Sequence, residues 1–252
     1  MRITAIGGGD VGAGETLAID RDIVAQAGVP NPRALFVPTA SQDSEDYVER
    51  FTRTYESLGC SVEVVRFWSS DDCDSARVKL ARADVVYVGG GNTKAMLEKW
   101  AEEEFDSALR EFVHSDKSVS GLSAGAICWF RVANSDWPQF YGIEGVNTAP
   151  LECMGLVDLA LCPHTRDEGF RLAEFSSMMR EIEGVGVGLD DGCALQIRDE
   201  SYRVLAAQPN SFAHRVYRLG DGVKREVLEP HSDWRPLSLL QDASTPVGRL
   251  VD

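Results

Sequence analysis

Short apolar runs alternate with longer charged segments through the first two-thirds of this chain, and that alternation narrows the fold more than any other feature. The runs are residues 3–6, 34–37, 62–67, 85–88 and 119–122, bounded by Gly or Pro and rich in β-branched residues. Their continuity, rather than a two-residue alternation, suits strands covered on both faces. Between them, segments 16–27, 45–58, 94–100 and 105–113 space their apolar residues three or four apart, as helices do. Strand–helix alternation predicts an α/β fold: a three-layer αβα arrangement around a mostly parallel central sheet. After Gly184 the pattern shortens. Runs 185–189, 194–197, 203–206 and 214–218 read as further strands, some antiparallel, completing the same sheet system. The 252 residues read as a single domain, with a loosely ordered tail at 242–252.

Charge excludes several functions. Lys and Arg number 25 against 40 Asp and Glu, a net charge of −15. A nucleic-acid binder needs the opposite balance, and an anionic membrane surface repels such a chain. No apolar run approaches the roughly 20 residues that span a bilayer. The first six residues read as a strand, not as a secretion signal. The six cysteines, Cys60, Cys73, Cys128, Cys153, Cys162 and Cys193, form no CxxC pair, so a zinc knuckle or redox dithiol is not expected. The expectation is a cytoplasmic protein with free thiols, without nucleic-acid or membrane partners. A homodimer is left open.

The chemistry begins at Ser123. Gly121-Leu-Ser-Ala-Gly125 fits G-x-S-x-G at the end of an apolar run and opens a helix-compatible stretch. That is the strand–turn–helix setting of a nucleophile elbow. Small residues on either side let neighbouring backbone pass a serine held on a tight turn. The helix start just beyond it offers the Ala124 N–H to a developing oxyanion. A bare serine N-cap is the plainer reading of the same residues. A second strand runs into Gly89-Gly-Gly-Asn-Thr93, with Asn92 or Thr93 as the cap of the next helix. Parallel strands gather their C-terminal ends at one edge, so Gly91 is placed to supply a second N–H there.

Among four histidines, His164 ends the run 156–164 at a strand terminus on that same edge; His114, His214 and His231 lie in a helix end, a late strand and a polar stretch. His164 is the candidate base. For the acid, Asp191 ends the strand-like 184–192 segment, and Asp136 follows the serine by 13 residues (136 − 123). Asp191 is favoured and Asp136 comes second. Asp190 should face the other way if the strand continues.

These motifs, in this order, resemble the dipeptidase E and cyanophycinase group of serine peptidases over roughly residues 1–220. The resemblance implies a flavodoxin-like αβα fold related to class I glutamine amidotransferases, with serine where those carry cysteine. It implies Ser123 as nucleophile, His164 as base, Gly91 and Ala124 as oxyanion donors, and no metal or cofactor. Both acid positions are matched, Asp191 at a site usually held by Glu. The shorter Asp requires the backbone to close the missing methylene. Dipeptidase E hydrolyses dipeptides with an N-terminal aspartate, held by an arginine beyond the histidine. Arg166 and Arg171 stand in that region, at a spacing that departs from the family's. The resulting expectation is a serine peptidase acting on short peptides, with isopeptidase chemistry or a silent binding protein of the same fold as alternatives.

One further motif points elsewhere. Gly7-Gly-Gly-Asp-Val-Gly12 satisfies the dinucleotide fingerprint G-x-G-x-x-G after a strand. The next strand ends in Pro38-Thr39 instead of the acid that would bind a ribose. The glycines read better as a close turn beneath the active-site edge.

Overall fold

A computed structural model describes residues 1–69, 73–115, 117–166 and 168–251, with the side chains of 73 and 74 left aside. The side chain of Cys73 thus lies outside the described residues, as do Asp167 and the final residue of the tail; the other five cysteines are free thiols.

Strands β1 (Arg2–Ile6), β2 (Arg33–Val37), β3 (Ser61–Val64), β4 (Val85–Val88) and β5 (Ser118–Leu122) are the runs read from the sequence, trimmed at their ends. They pair in parallel in the order β1-β5-β4-β2-β3. Then come β6 (Phe130–Ser135), β7 (Ala149–Glu152), β8 (Val157–Cys162), β9 (Val185–Leu189), β10 (Cys193–Arg198), β11 (Ser201–Ala206), β12 (Ala213–Leu219), β13 (Gly222–Leu228), β14 (His231–Pro236) and β15 (Arg249–Val251).

The late strands divide where a single sheet was expected. β10, β11 and β14 extend the first sheet antiparallel from β1, whereas β9, β12, β13 and β15 join β6, β7 and β8 in a second sheet. Apolar patterning marks a strand but not its neighbour, so the division leaves no trace in composition. The turn after β9, with Gly192 at φ 70°, carries the chain from the second sheet to the first.

The two periodicities explain the layers. Along the first sheet Ile6, Phe36, Val85 and Tyr87 point to one face and pack beneath helices Leu17–Gln26 and Glu45–Ser57 through Ile19, Ile23, Phe51 and Tyr55. Their neighbours Ala5, Leu35, Val37, Val86 and Val88 point the other way. There they share one core with Trp100, Leu109 and the inner face of the second sheet, Leu159, Leu161, Val185 and Val187. Helix Arg171–Met178 covers the outer face of that sheet with Phe175 and Met178. The architecture is αβα and flavodoxin-like. Asn92, not Thr93, caps helix Thr93–Glu102, its Oδ1 accepting from the Ala95 amide at 3.1 Å. Among the described residues, no helix is long and apolar enough to cross a membrane.

Segment 242–251, expected to lie loosely, is fastened. Buried Arg215 on β12 donates to the carbonyls of Leu240 (2.9 Å), Asp242 (2.5 Å) and Thr245 (3.0 Å), and Glu226 accepts from the amides of Val247 (2.9 Å) and Gly248 (3.0 Å). β15 then pairs with β13. Two polar side chains deep in neighbouring strands thus order a polar tail.

Asp20 is wholly buried against Thr16 and Tyr55, whose hydroxyls donate to it at 2.7 and 3.0 Å. Burial outweighs those bonds and raises its pKa from 3.8 to about 6. A carboxyl raised on folding contributes stability below the unfolded value, and loses it as pH rises through the folded one. Between pH 3.8 and about 6 that loss grows to about 3 kcal/mol. Asp20→Asn keeps the shape without the charge. It is expected to raise Tm at pH 8 and leave it nearly unchanged at pH 4 in thermal melts; an equal effect at both pH values would contradict the assignment.

Candidate active site

Ser123 follows the last residue of β5, at φ 53° and ψ −110°, and begins helix Ala124–Ile127. A non-glycine residue in this region carries roughly 1–3 kcal/mol of strain, which the surroundings must hold. Its amide donates to Ile6 O at 3.0 Å, and its carbonyl accepts from Ala126 and Ile127 at 2.9 and 3.0 Å. The flanking glycines of the motif are steric requirements. A Cβ on Gly121 would lie 2.1 Å from Gly125 O, and one on Gly125 would lie 2.1 Å from Val88 O. The bend is possible because three backbones pass where side chains would collide.

His164 stands two residues beyond β8, also left-handed at φ 56°, with its amide on Gly7 O at 3.2 Å. Asp191 lies in the turn between β9 and β10. The three side chains form one hydrogen-bonded line. Ser123 Oγ lies 2.9 Å from His164 Nε2, and His164 Nδ1 lies 2.8 Å from Asp191 Oδ1. With the imidazole neutral, Nδ1–H donates to the carboxylate and Nε2 accepts from the hydroxyl. The His164 and Asp191 side chains are 22% and 14% exposed, enough to meet a solute and too little for water to screen them fully. Asp191 Oδ2 is buried without a partner among the described residues.

Gly8 explains how the shorter acid reaches. A Cβ there would fall 1.7 Å from Asp191 Oδ1 and 2.4 Å from His164 Nδ1, so the chain leaving β1 lies flush against the pair. The Gly8 carbonyl also accepts from Gly192 N at 3.0 Å, which draws the Asp191 turn inward. The sequence indicated a close turn here without singling out Gly8, because its neighbours come from residues more than 150 positions away.

The other candidates separate. Asp136 does not meet His164; its Oδ2 lies 3.2 Å from Arg171 Nη2. Arg171 is 1% exposed and also pairs Nε with Glu168 Oε2 at 2.5 Å, leaving Nη1 as a buried donor without an acceptor among the described residues. Burial works against its charge, yet Glu168 and Asp136 hold its pKa above that of a free arginine. Arg166 is exposed and donates to Asn210 O and Ser211 Oγ at 3.1 and 3.3 Å. Gly91 sits at φ 136°, and a Cβ on its neighbour Gly90 would lie 3.4 Å from Ser123 Cβ, so this turn flanks the serine. Tyr47 was missed by sequence reasoning. Its hydroxyl accepts the Gly90 amide at 3.3 Å, and burial pushes its pKa up to about 12. A cavity of about 280 Å³ opens beside Leu122 and Gly90, walled by Tyr47, Val11, Asp10 and Arg50. Ala124 is buried at the first helical position.

A serine, an imidazole and a carboxylate thus stand in one hydrogen-bonded line on an αβα fold. The chain belongs to peptidase family S51, whose model matches residues 3–205. It is similar to the uncharacterized peptidase YgaJ of Bacillus subtilis (strain 168), 33% identical over 218 residues that cover 85% of this chain and 91% of that one. Peptidase E of Nostoc sp. is 24% identical over 208 residues, covering 79% and 80%. The crystal structure of a peptidase from an acI-B1 actinobacterium superposes with a TM-score of 0.72 at 14% identity, covering 93% and 96%, a likeness of fold.

Gly8→Ala tests the close approach. The added methyl must displace the His164–Asp191 pair. Peptide hydrolysis is expected to fall at least roughly a hundredfold, with a smaller loss of Tm; full activity in this variant would mean that the pair is not held as described.

Proposed function

We propose that the protein hydrolyses short peptides through Ser123, His164 and Asp191. The observation that carries this reading is the unbroken line of hydrogen bonds, 2.9 Å from Ser123 Oγ to His164 Nε2 and 2.8 Å from His164 Nδ1 to Asp191. His164 takes the Ser123 proton as Oγ attacks the scissile carbonyl carbon, then gives it to the departing amine. Water, deprotonated by the same imidazole, then attacks the acyl carbon; the bond to Ser123 Oγ breaks, and the imidazolium returns the proton to Oγ. Asp191 holds the tautomer and stabilises the imidazolium. The Ala124 and Gly91 amides are assigned to the oxyanion, supported by the helix start after Ser123 and the turn beside it. Each such donor is worth roughly 10²–10³ in rate. Five free cysteines suit a reducing, cytoplasmic setting.

A preference for N-terminal aspartate has less support. Arg171 already faces two carboxylates, Asp136 and Glu168, which offset its charge before any substrate arrives. The reading adopted is a peptidase of short peptides whose rate does not depend on an acidic first residue.

A library of dipeptides and isoaspartyl peptides, scored for released amine, tests it. Asp-X and Ala-X dipeptides are expected to be cleaved within about tenfold of each other (roughly 1.4 kcal/mol). Release confined to isoaspartyl substrates would indicate an isopeptidase, and no release with no fluorophosphonate labelling of Ser123 would indicate a silent binding protein. Ser123→Ala and His164→Ala are each expected to abolish hydrolysis with Tm little changed. Asp191→Asn is expected to lose roughly 10⁴ in kcat, and Asp136→Asn far less; the reverse order would move the acid to Asp136.

A further inference from the structure

Asp190 and Asp191 are consecutive, yet their carboxylates serve different histidines. Asp191 faces His164, whereas Asp190 turns to the opposite side and accepts from His214 Nε2 at 3.0 Å. The same Asp190 oxygen accepts from Thr165 Oγ1 at 2.7 Å, and its other oxygen accepts from the Phe212 amide at 2.9 Å. Asp190 is 2% exposed. Burial by itself would raise its pKa, but the three donors outweigh burial and hold the carboxyl below the usual range. This is a buried, ionised acid with a complete set of partners, and the reaction does not use it directly.

The partners are placed on either side of the site. Thr165 is the residue after His164, Asp190 is the residue before Asp191, and His214 lies on β12, paired across from Gly188 of β9. Gly188 makes the convergence possible. A Cβ there would lie 2.7 Å from Thr165 Cγ2 and 3.5 Å from His214 Cβ. Further bonds follow the same path: the Thr165 amide to Leu189 O at 3.1 Å, the Asp190 amide to Phe212 O at 3.1 Å, and Ser211 Oγ to Asp191 O at 2.7 Å.

We propose that Asp190, gripped by Thr165 and His214, positions His164 and Asp191 relative to one another for the peptidase reaction. The inference rests on the assignment of Ser123, His164 and Asp191 made above. His164 is held at φ 56°, a conformation that persists only where the surroundings over-determine it. On its N-terminal side the Gly7 carbonyl holds the His164 amide. On its C-terminal side the Thr165 hydroxyl ties the strained residue to the carboxylate next to Asp191. An error of about 1 Å in such a constellation costs roughly a hundredfold in rate. Thr165, Asp190 and His214 are therefore positioning residues; none of them contacts Ser123 among the described hydrogen bonds.

Thr165→Val removes the hydroxyl and keeps the shape; Thr165→Ser keeps the hydroxyl. Three readings are taken on the full chain: the second-order rate of Ser123 labelling by a fluorophosphonate, the downfield proton resonance of the His164 Nδ1–H, and Tm. Thr165→Val is expected to slow labelling roughly ten- to a hundredfold and to shift or broaden the resonance, with Tm little changed. Thr165→Ser is expected to label near the wild-type rate. Wild-type labelling and an unchanged resonance in Thr165→Val would overturn the proposal, as would equal slowing in both variants or a loss that merely tracks Tm. If the wild-type chain is not labelled at all, the assignment of Ser123 fails, and the resonance still decides the clamp: altered in Thr165→Val it supports it, identical it refutes it. Should Thr165→Val not fold, His214→Gln is read by the same measurements and the same criteria.

Discussion

The backbone seam between the end of β1 and the turns after β8 and β9 is the contact on which the site depends. Ser123 belongs to the first sheet, and His164 and Asp191 follow strands of the second. Nothing along the chain brings them together. The Gly7 carbonyl takes the His164 amide, the Gly8 carbonyl takes the Gly192 amide, and the Gly7 amide donates to Cys193 O at 2.9 Å. These bonds form only if the backbone approaches to contact distance, which the absence of a Cβ at Gly8 allows. A run that resembles a dinucleotide fingerprint is used here to dock one sheet edge against another.

Strain is concentrated at the same place. Ser123 and His164 both hold left-handed backbones that their side chains disfavour. The compensation comes from bonds made by their neighbours: Ile6 and Gly7 on one side, Thr165 and Asp190 on the other. Elsewhere the protein tolerates a cost without evident chemical use, as at Asp20, where burial makes the ionised form costly and raises the pKa to about 6. The contrast with Asp190 is instructive. Both carboxyls are buried, but Asp20 has two hydroxyl donors and its pKa is raised, whereas Asp190 has a hydroxyl, an imidazole and a backbone amide and its pKa is held below the usual range. The number and kind of donors decide the outcome, not depth alone.

The parallel half of the first sheet was legible because runs such as 34–37 and 85–88 are continuously apolar between helical segments. Ser123 was legible from its glycines, and His164 and Asp191 from their places at strand ends. The second sheet was not, since β9 and β10 look alike in sequence although they belong to different sheets. Arg171 was read as a candidate substrate ligand. Its pairing with Asp136 depends on helix Arg171–Met178 packing on the outer face of the second sheet, a relation that no local pattern encodes. The ordered tail was missed for the same reason, because its anchors, Arg215 and Glu226, sit in strands that precede it. Gly8, Tyr47 and Thr165 matter only through what long-range pairing places against them.

The division of the site between two sheets also governs when it can exist. During synthesis Ser123 emerges on β5 with its bend already written into the local sequence, but no imidazole stands beside it until His164 has been made. The imidazole in turn lacks its carboxylate until residue 191 has left the ribosome, and the turn bearing that carboxylate is held by β12, which ends at Leu219. A nascent chain halted anywhere short of this carries an unarmed hydroxyl. The hydrogen-bonded line from Ser123 to Asp191 is thus completed late, with the closing of the whole molecule.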